Sequence, residues 1–220
     1  MKSKVVTMDA AMAKIESGIT IMISGFITVG TPQNIVDALC EKGFKDFHLI
    51  SNDVGKLGAP GIARLIMERR VRELTAAHIG LNPEAGHQMN AGELKVNLTP
   101  MGSLVEKIRA GGAGIGGFLT PTGVGTVVQE GKQIIEVNGK KFLLELPLRA
   151  DVAVVKAWKA DTKGNLVYRR AARNFNPYMA MAADWVIAEA EHIVQPGELD
   201  PDIIITPSIV VDMVVQSQEG

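Results

Sequence analysis

Short, uninterrupted apolar runs alternate with amphipathic stretches along most of this 220-residue chain, and that alternation limits the folds open to it. The run at 19–24 has the length and content of a strand buried on both faces of a parallel sheet, 47–51 reads as the next strand, and 74–77 and 96–99 as short strands. Helical spacing fills the gaps. Residues 8–16 form one amphipathic stretch closed by Gly18. A second begins with Thr31 as N-cap and Pro32 at the first helical position, buries Ile35, Val36 and Leu39, and stops at Gly43. A turn at 58–61 leads into a third at 62–70. Later, strands are predicted at 152–158, 166–168, 185–188 and 203–205, with a helix near 177–183. Residues 134–137 and 142–146 flank Asn138-Gly139, a pair suited to the positive φ angles of a type I′ hairpin. The predicted class is α/β: a mainly parallel sheet covered by helices, in one domain spanning 1–220.

Charge and composition exclude several functions. Net charge is −1 with both signs interspersed, so no basic tract points to nucleic acid. The apolar runs are far too short to span a bilayer. Met1-Lys-Ser-Lys is not followed by the apolar core of a signal peptide, so a cytoplasmic protein that stays off membranes is expected. The lone Cys40 lies within a helical pattern and reads as a small buried hydrophobe. His48, His78, His87 and His192 lack paired metal-ligand spacing, and no metal site is expected. Trp158 and Trp185 fall in strand patterns and read as core.

The densest local signal is the run from Arg109 to Gly123, with six glycines in fifteen residues and Pro121 near its end. Residues 112–117 spell G-x-G-x-x-G, but a dinucleotide fingerprint must open a helix. Here a helix precedes the glycines: Ser103 and Glu106 make a capping-box pattern, Leu104, Val105 and Ile108 an apolar face, and Gly111 a helix stop. A helix C-terminus repels phosphate. The glycines therefore read as bare backbone brought close to a neighbour rather than as a nicotinamide site.

Two loops carry site character. Residues 24–32 leave the C-terminal end of a buried strand and feed a helix N-terminus, the place where open α/β sheets bind ligands; the same glycines would also serve a plain tight turn. Asn52-Asp53 directly follows the next strand, where the pair either caps the turn or aims an amide at a developing oxyanion.

Several long motifs occur in order: Gly18-x4-Ile-x-Gly-Phe-x3-Gly-x-Pro32, Ser51-Asn-Asp53, the 108–126 glycine segment, Asp161-Thr-Lys-Gly-Asn165, Arg173-Asn-Phe-Asn-Pro177 and Gly197-Glu-Leu-x-Pro-Asp202. With these the chain resembles the α (A) subunits of class I, 3-oxoacid CoA-transferases, particularly the acetate/butyrate–acetoacetate type, over nearly its whole length. The resemblance implies an isomerase-like Rossmann-type fold and transfer of CoA between an acyl-CoA and a free acid. No tightly bound cofactor is implied, and coenzyme A is a substrate. In the family a glutamate carboxylate attacks the thioester, dividing the exchange into acyl-transfer steps. That glutamate lies in a Ser-Glu-Asn-Gly motif of the β subunit, and this chain has no Glu-Asn-Gly. Glu16, Glu84, Glu106 and Glu130 read as solvated or capping acids.

The resemblance therefore implies half an active site, completed by a β subunit in an α2β2 assembly. It places CoA binding on Ser24, Gly25, Phe26, Ile27, Thr28, Val29 and Gly30, and oxyanion support on Asn52. It brings Gly111, Gly112, Gly114, Gly116 and Gly117 near the thioester or the partner, and Arg173–Pro177 to a sheet edge or interface. Lys140-Lys141 and Arg169-Arg170 read as solvated charge pairs with CoA phosphates as a second use. Three positions depart from the family pattern: Ser17 for Asp/Asn, Ser24 for glycine, and Met101 for the glutamine of Pro-Gln-Gly. A thioether cannot donate to an oxyanion. Two other readings stay open, a non-catalytic interaction subunit and a free-standing sugar-phosphate isomerase of similar architecture.

Overall fold

The computed structural model describes residues 2–218. Its centre is a sheet whose seven parallel strands run in the order β11-β10-β8-β1-β2-β3-β4: β1 Thr20–Ile23, β2 Phe47–Ile50, β3 Val71–Ala76, β4 Lys95–Leu98, β8 Ala150–Asp161, β10 Ala183–Val194 and β11 Met213–Gln216. A short β9, Leu166–Val167, pairs antiparallel with β8. Helices α1 Met8–Met12, α2 Gln33–Glu41, α3 Ile62–Met67 and α4 Pro83–Asn90 share one face; α5 Met101–Gly112 and α6 Asn176–Met181 pack together on the other.

Strand periodicity builds both layers. Ile21 and Ile23 of β1 join Leu49, Val152 and Val154 under α1–α4, with Ile35, Val36 and Leu39 of α2. Met22 points the other way and joins Ile50, Ala153 and Val155 with Leu104, Ile108 and Met179. These β1 side chains are fully buried, each worth about 1.5–3 kcal/mol of transfer free energy. The α/β expectation is borne out.

A second sheet, β5-β7-β6, stands between α5 and β8 in sequence: β5 Phe118–Thr120, β6 Ile134–Val137 and β7 Lys140–Glu145. The hairpin is as expected, with φ of 51° at Asn138 and 73° at Gly139. Glu145, 1% exposed, accepts from Lys107 of α5 at 3.0 Å and from Lys132 at 2.5 Å, tying this sheet to the main body.

Other expectations need correction. Residues 203–205 are not a strand: a one-turn 3-10 helix, Pro201–Ile203, is capped by the Asp200 side chain, and Ile203 and Ile205 are exposed, which removes the reason for burying them in a sheet. Thr206 forms one isolated bridge with Leu166, and the last strand is β11, which the pattern reading missed together with α4 and β5. The 103–110 helix starts two residues earlier, where β4 ends. No capping box forms, because Ser103 is buried inside the helix and Glu106 bonds Arg109 at 2.8 Å. Gly111 lies in its last turn, and Gly114 (φ 68°) supplies the left-handed residue beyond it. Pro32, not Thr31, is the N-cap of α2, without a side-chain cap of its own. Trp158 and Trp185 are half-buried at the margins of the layers rather than core. Cys40 is buried as expected, and desolvation pushes its thiol up to about 11.

Candidate active site

The chain leaves β1 toward α2 on one face, whereas β8, its other neighbour, leads to α6 on the opposite face. A crevice results at the carboxyl end of β1, level with Val154 of the longer β8, the ligand position of open α/β sheets. Residues 24–30 stand in it.

Phe26 and Val29 exchange backbone hydrogen bonds at 3.1 Å each way, closing a two-residue turn on Ile27 and Thr28. Both are β-branched and both have positive φ, 51° and 84°. Such residues in the left-handed region cost about 1–2 kcal/mol each, so the surroundings must over-determine the turn. They do. Asp53 accepts from the Ile27 N–H at 3.0 Å and from the Gly55 N–H at 2.8 Å, Asn174 donates to the Val29 carbonyl at 3.2 Å, and Asn176 donates to the Gly30 carbonyl at 3.0 Å. The strained turn displays Phe26, Ile27 and Val29, which are 46%, 39% and 49% exposed.

Glycine at both ends is required. A Cβ on Gly25 would strike the Thr31 hydroxyl, and one on Gly30 (φ 80°) would lie 2.6 Å from the Ala172 carbonyl oxygen. Ser24, where the family pattern has glycine, stays out of the positive-φ region, so its Cβ is accommodated. Its side chain is fully buried, and its hydroxyl has no hydrogen-bond partner among the described residues.

Behind the turn lies a chain of amides. Asn52, 1% exposed, accepts from the Gly25 N–H at 3.2 Å and donates to Asn174 Oδ1 at 2.6 Å. Asn176, fully buried, also donates to the Ala172 carbonyl and accepts from the Lys156 N–H of β8 at 2.9 Å. Residues 173–177, assigned by resemblance to a sheet edge or interface, are thus woven into the 24–30 loop. Two turn-forming asparagines, separated by one residue and leading into a proline, were the sequence signal for such bracing.

The base of α2 is held from across the sheet. Glu189 of β10, fully buried, accepts the Ile35 N–H at 3.0 Å and pairs with Lys156 Nζ at 2.9 Å, so an acid from another strand caps this helix and favours its positive end. No sequence pattern marked that pair.

Beside Val29 a groove of about 420 Å³ is lined by Arg169, Arg170, Ala171, Ala172 and Glu191. Arg169 and Lys159 stand over the Trp158 ring at 5.4 and 4.5 Å. The 169–170 pair therefore borders the loop. Lys140 and Lys141 lie on the small sheet instead.

The glycine run is elsewhere. A Cβ at Gly111 would collide with the Leu148 carbonyl just before β8, and one at Gly112 would lie 2.8–3.0 Å from Met181 just before β10. Both contacts are at the amino ends of β8 and β10, roughly 23 Å of strand away from the level of Ser24. A Cβ on Gly117 would lie 3.0 Å from the Glu145 carbonyl, whereas Gly114 and Gly116 face open space. The structure does not bring these glycines to the 24–30 loop. Met101, the first residue of α5, does lie at the carboxyl end of the sheet.

Chemically the hydrogen-bonded cluster behind the turn offers amide and backbone donors but, among the described residues, no free acid; Glu191 lines only the neighbouring groove. Asp53 commits one oxygen to each of two N–H groups, Glu189 is sealed behind α2, and no other carboxylate among the described residues enters this hydrogen-bonded cluster.

Comparisons agree with this architecture. Residues 5–217 match the family model described as coenzyme A transferase. The chain is 52% identical over 220 residues to acetate CoA-transferase subunit alpha of Escherichia coli (strain K12), covering all of both chains. It is 44% identical over 216 residues to the acetoacetyl-CoA:acetate/butyrate CoA transferase alpha subunit of Clostridium acetobutylicum, covering 98% of this chain and 99% of the other. An acyl-CoA transferase of Escherichia coli O157:H7, solved as a thioester complex with CoA, superposes with a TM-score of 0.87 at 20% identity; it covers 100% of this chain, which spans only 50% of that longer polypeptide. With motifs, fold and relatives in accord, the chain belongs to the coenzyme A transferase family.

Proposed function

We propose that this chain is the α half of a heteromeric CoA-transferase. It moves CoA between a short-chain acyl-CoA and a free acid of the acetate, butyrate or acetoacetate type, with the nucleophilic glutamate supplied by a β subunit in an α2β2 assembly. The observation that carries this reading is a braced donor cluster without a free carboxylate, at the end of the sheet where a ligand belongs. The subunit names of the similar proteins support it.

In this reading the 24–30 turn takes the CoA side of the substrate. Its apolar side chains pack on the pantetheine arm, and the Arg169-Arg170 groove meets the phosphates. Asn52 supports the position of the developing oxyanion. The partner's carboxylate attacks the thioester carbon, the carbonyl electron pair moves to oxygen, and its return expels CoA thiolate and leaves a mixed anhydride. The thiolate then adds to the glutamyl carbonyl of that anhydride, expelling the donor acid as a free carboxylate and giving a glutamyl-CoA thioester. The acceptor carboxylate attacks this thioester, and the same steps in reverse form the new acyl-CoA and return the glutamate. Gly114 and Gly116, open at the opposite end of the sheet, face the partner rather than the thioester.

Co-expression with a β subunit, followed by assay of CoA transfer from acetyl-CoA to butyrate and to acetoacetate, tests the proposal. Activity is expected only in the mixture; turnover by the purified chain alone would contradict the division of labour.

A further inference from the structure

The geometry points to Asn174, not Asn52, as the side chain whose N–H touches the thioester oxygen. Asn52 acts as the residue that positions it. This rests on the CoA-transferase reading above.

The orientation of both amides follows from their neighbours. The Gly25 N–H can only donate, so the atom of Asn52 facing it is Oδ1, which turns Nδ2 toward Asn174. Asn174 must then present Oδ1 to Asn52 and Nδ2 to the Val29 carbonyl, which can only accept. Each assignment forces the next. Asn52 is sealed at 1% exposure, with its oxygen and one N–H engaged inside the chain. Asn174 is half-exposed beside the turn, and its Nδ2 has a second hydrogen beyond the one given to Val29.

The backbone argues the same way. Asn174 adopts φ 41° and ψ −136°, a sparsely populated conformation that glycine takes far more readily. Asparagine there sacrifices backbone stability and places an amide at the mouth of the crevice. Strain held by surrounding bonds is what a donor fixed before substrate arrives requires. When the partner's carboxylate adds to the thioester carbon, the second N–H of Asn174 meets the negative oxygen. Asn52 keeps the amide plane from rotating away.

The backbone also supplies a clean test. Asn174→Gly removes the amide while relieving the main chain, so folding and assembly with β survive. In the α·β complex, kcat of Asn174→Gly is expected to fall about 100-fold, a larger change than the rise in KM for acyl-CoA that follows from the lost bond to Val29, with Tm close to wild type because relief of the main chain offsets the two lost hydrogen bonds. Asn174→Asp retains the bond from Asn52 but offers an acceptor in place of the donor, and falls at least as far. Adding Asn52→Ala to Asn174→Gly costs less than about threefold more, because Asn52 acts through Asn174. Two results overturn the inference: Asn174→Gly within threefold of wild type, or losses from Asn52 and Asn174 that multiply. The wild-type complex is measured alongside, and its failure to transfer CoA would count against the proposed function itself.

Discussion

Two backbone devices occupy opposite ends of the same sheet. At the carboxyl end, the 26–29 turn holds Ile27 and Thr28 in positive φ, as Asn174 is beside it, with side-chain bonds from Asn52, Asp53, Asn174 and Asn176. At the amino end, Gly111 and Gly112 lie in ordinary helix, and the missing side chains let α5 approach the segments entering β8 and β10. One device stores strain to display side chains; the other removes side chains to achieve packing. Here the glycine density serves packing, whereas the proposed ligand loop is distinguished by non-glycine residues in glycine conformations braced by buried amides.

Substitutions separate the two devices. At the packing end, Gly111→Ala pushes a methyl into the Leu148 carbonyl and is expected to destabilise the chain by about 3 kcal/mol or more, read by denaturant unfolding. The soluble fraction should still bind acyl-CoA normally. Loss of CoA affinity at unchanged stability would break the comparison.

Next in size is Glu145→Gln, which leaves Lys107 and Lys132 without their shared acid and should cost about 3 kcal/mol at neutral pH. Burial raises the Glu145 carboxyl, but hydrogen bonds and charge from Lys132 and Lys107 outweigh it and hold the group below its ordinary value. A depressed folded-state carboxylate stabilises fully above its unfolded value and loses that contribution as pH falls through the folded one. The wild type should therefore lose stability on acidification more steeply than Glu145→Gln; parallel pH–stability curves would contradict the pairing.

Smallest is Thr28→Gly. Releasing a β-branched residue from φ 84° offsets the added entropy of the unfolded chain, so Tm should move by no more than the equivalent of about 1 kcal/mol, while KM for acyl-CoA rises as the turn loosens. A clear loss of stability with unchanged KM would mean that the turn serves the fold and not the ligand.

Most of the fold was legible because it rests on burial periodicity. Runs such as 19–24 and the Asn138-Gly139 pair carry their conformation locally, and both formed where expected. Positions governed by tertiary partners were not legible. The α2 N-terminus depends on Glu189, 154 residues away in sequence, and no local pattern around Thr31 reveals it. The helix near 103 resembled a capping box because Ser103 and Glu106 have the right spacing, yet α5 begins where β4 releases the chain at Pro100. Within the proposed site, the 24–30 loop and Asn52 were singled out through position after a strand and through resemblance. Asn174 and Asn176 were placed by resemblance at a sheet edge or interface and not with the loop, because their partners lie more than a hundred residues upstream.

The central claim is that this chain holds donors and the partner holds the nucleophile. The most direct measurement is intact-mass analysis of both chains after the α·β complex is incubated with acyl-CoA. The account predicts a CoA adduct on the partner subunit alone, with this chain at its unmodified mass. An adduct on this chain would contradict it.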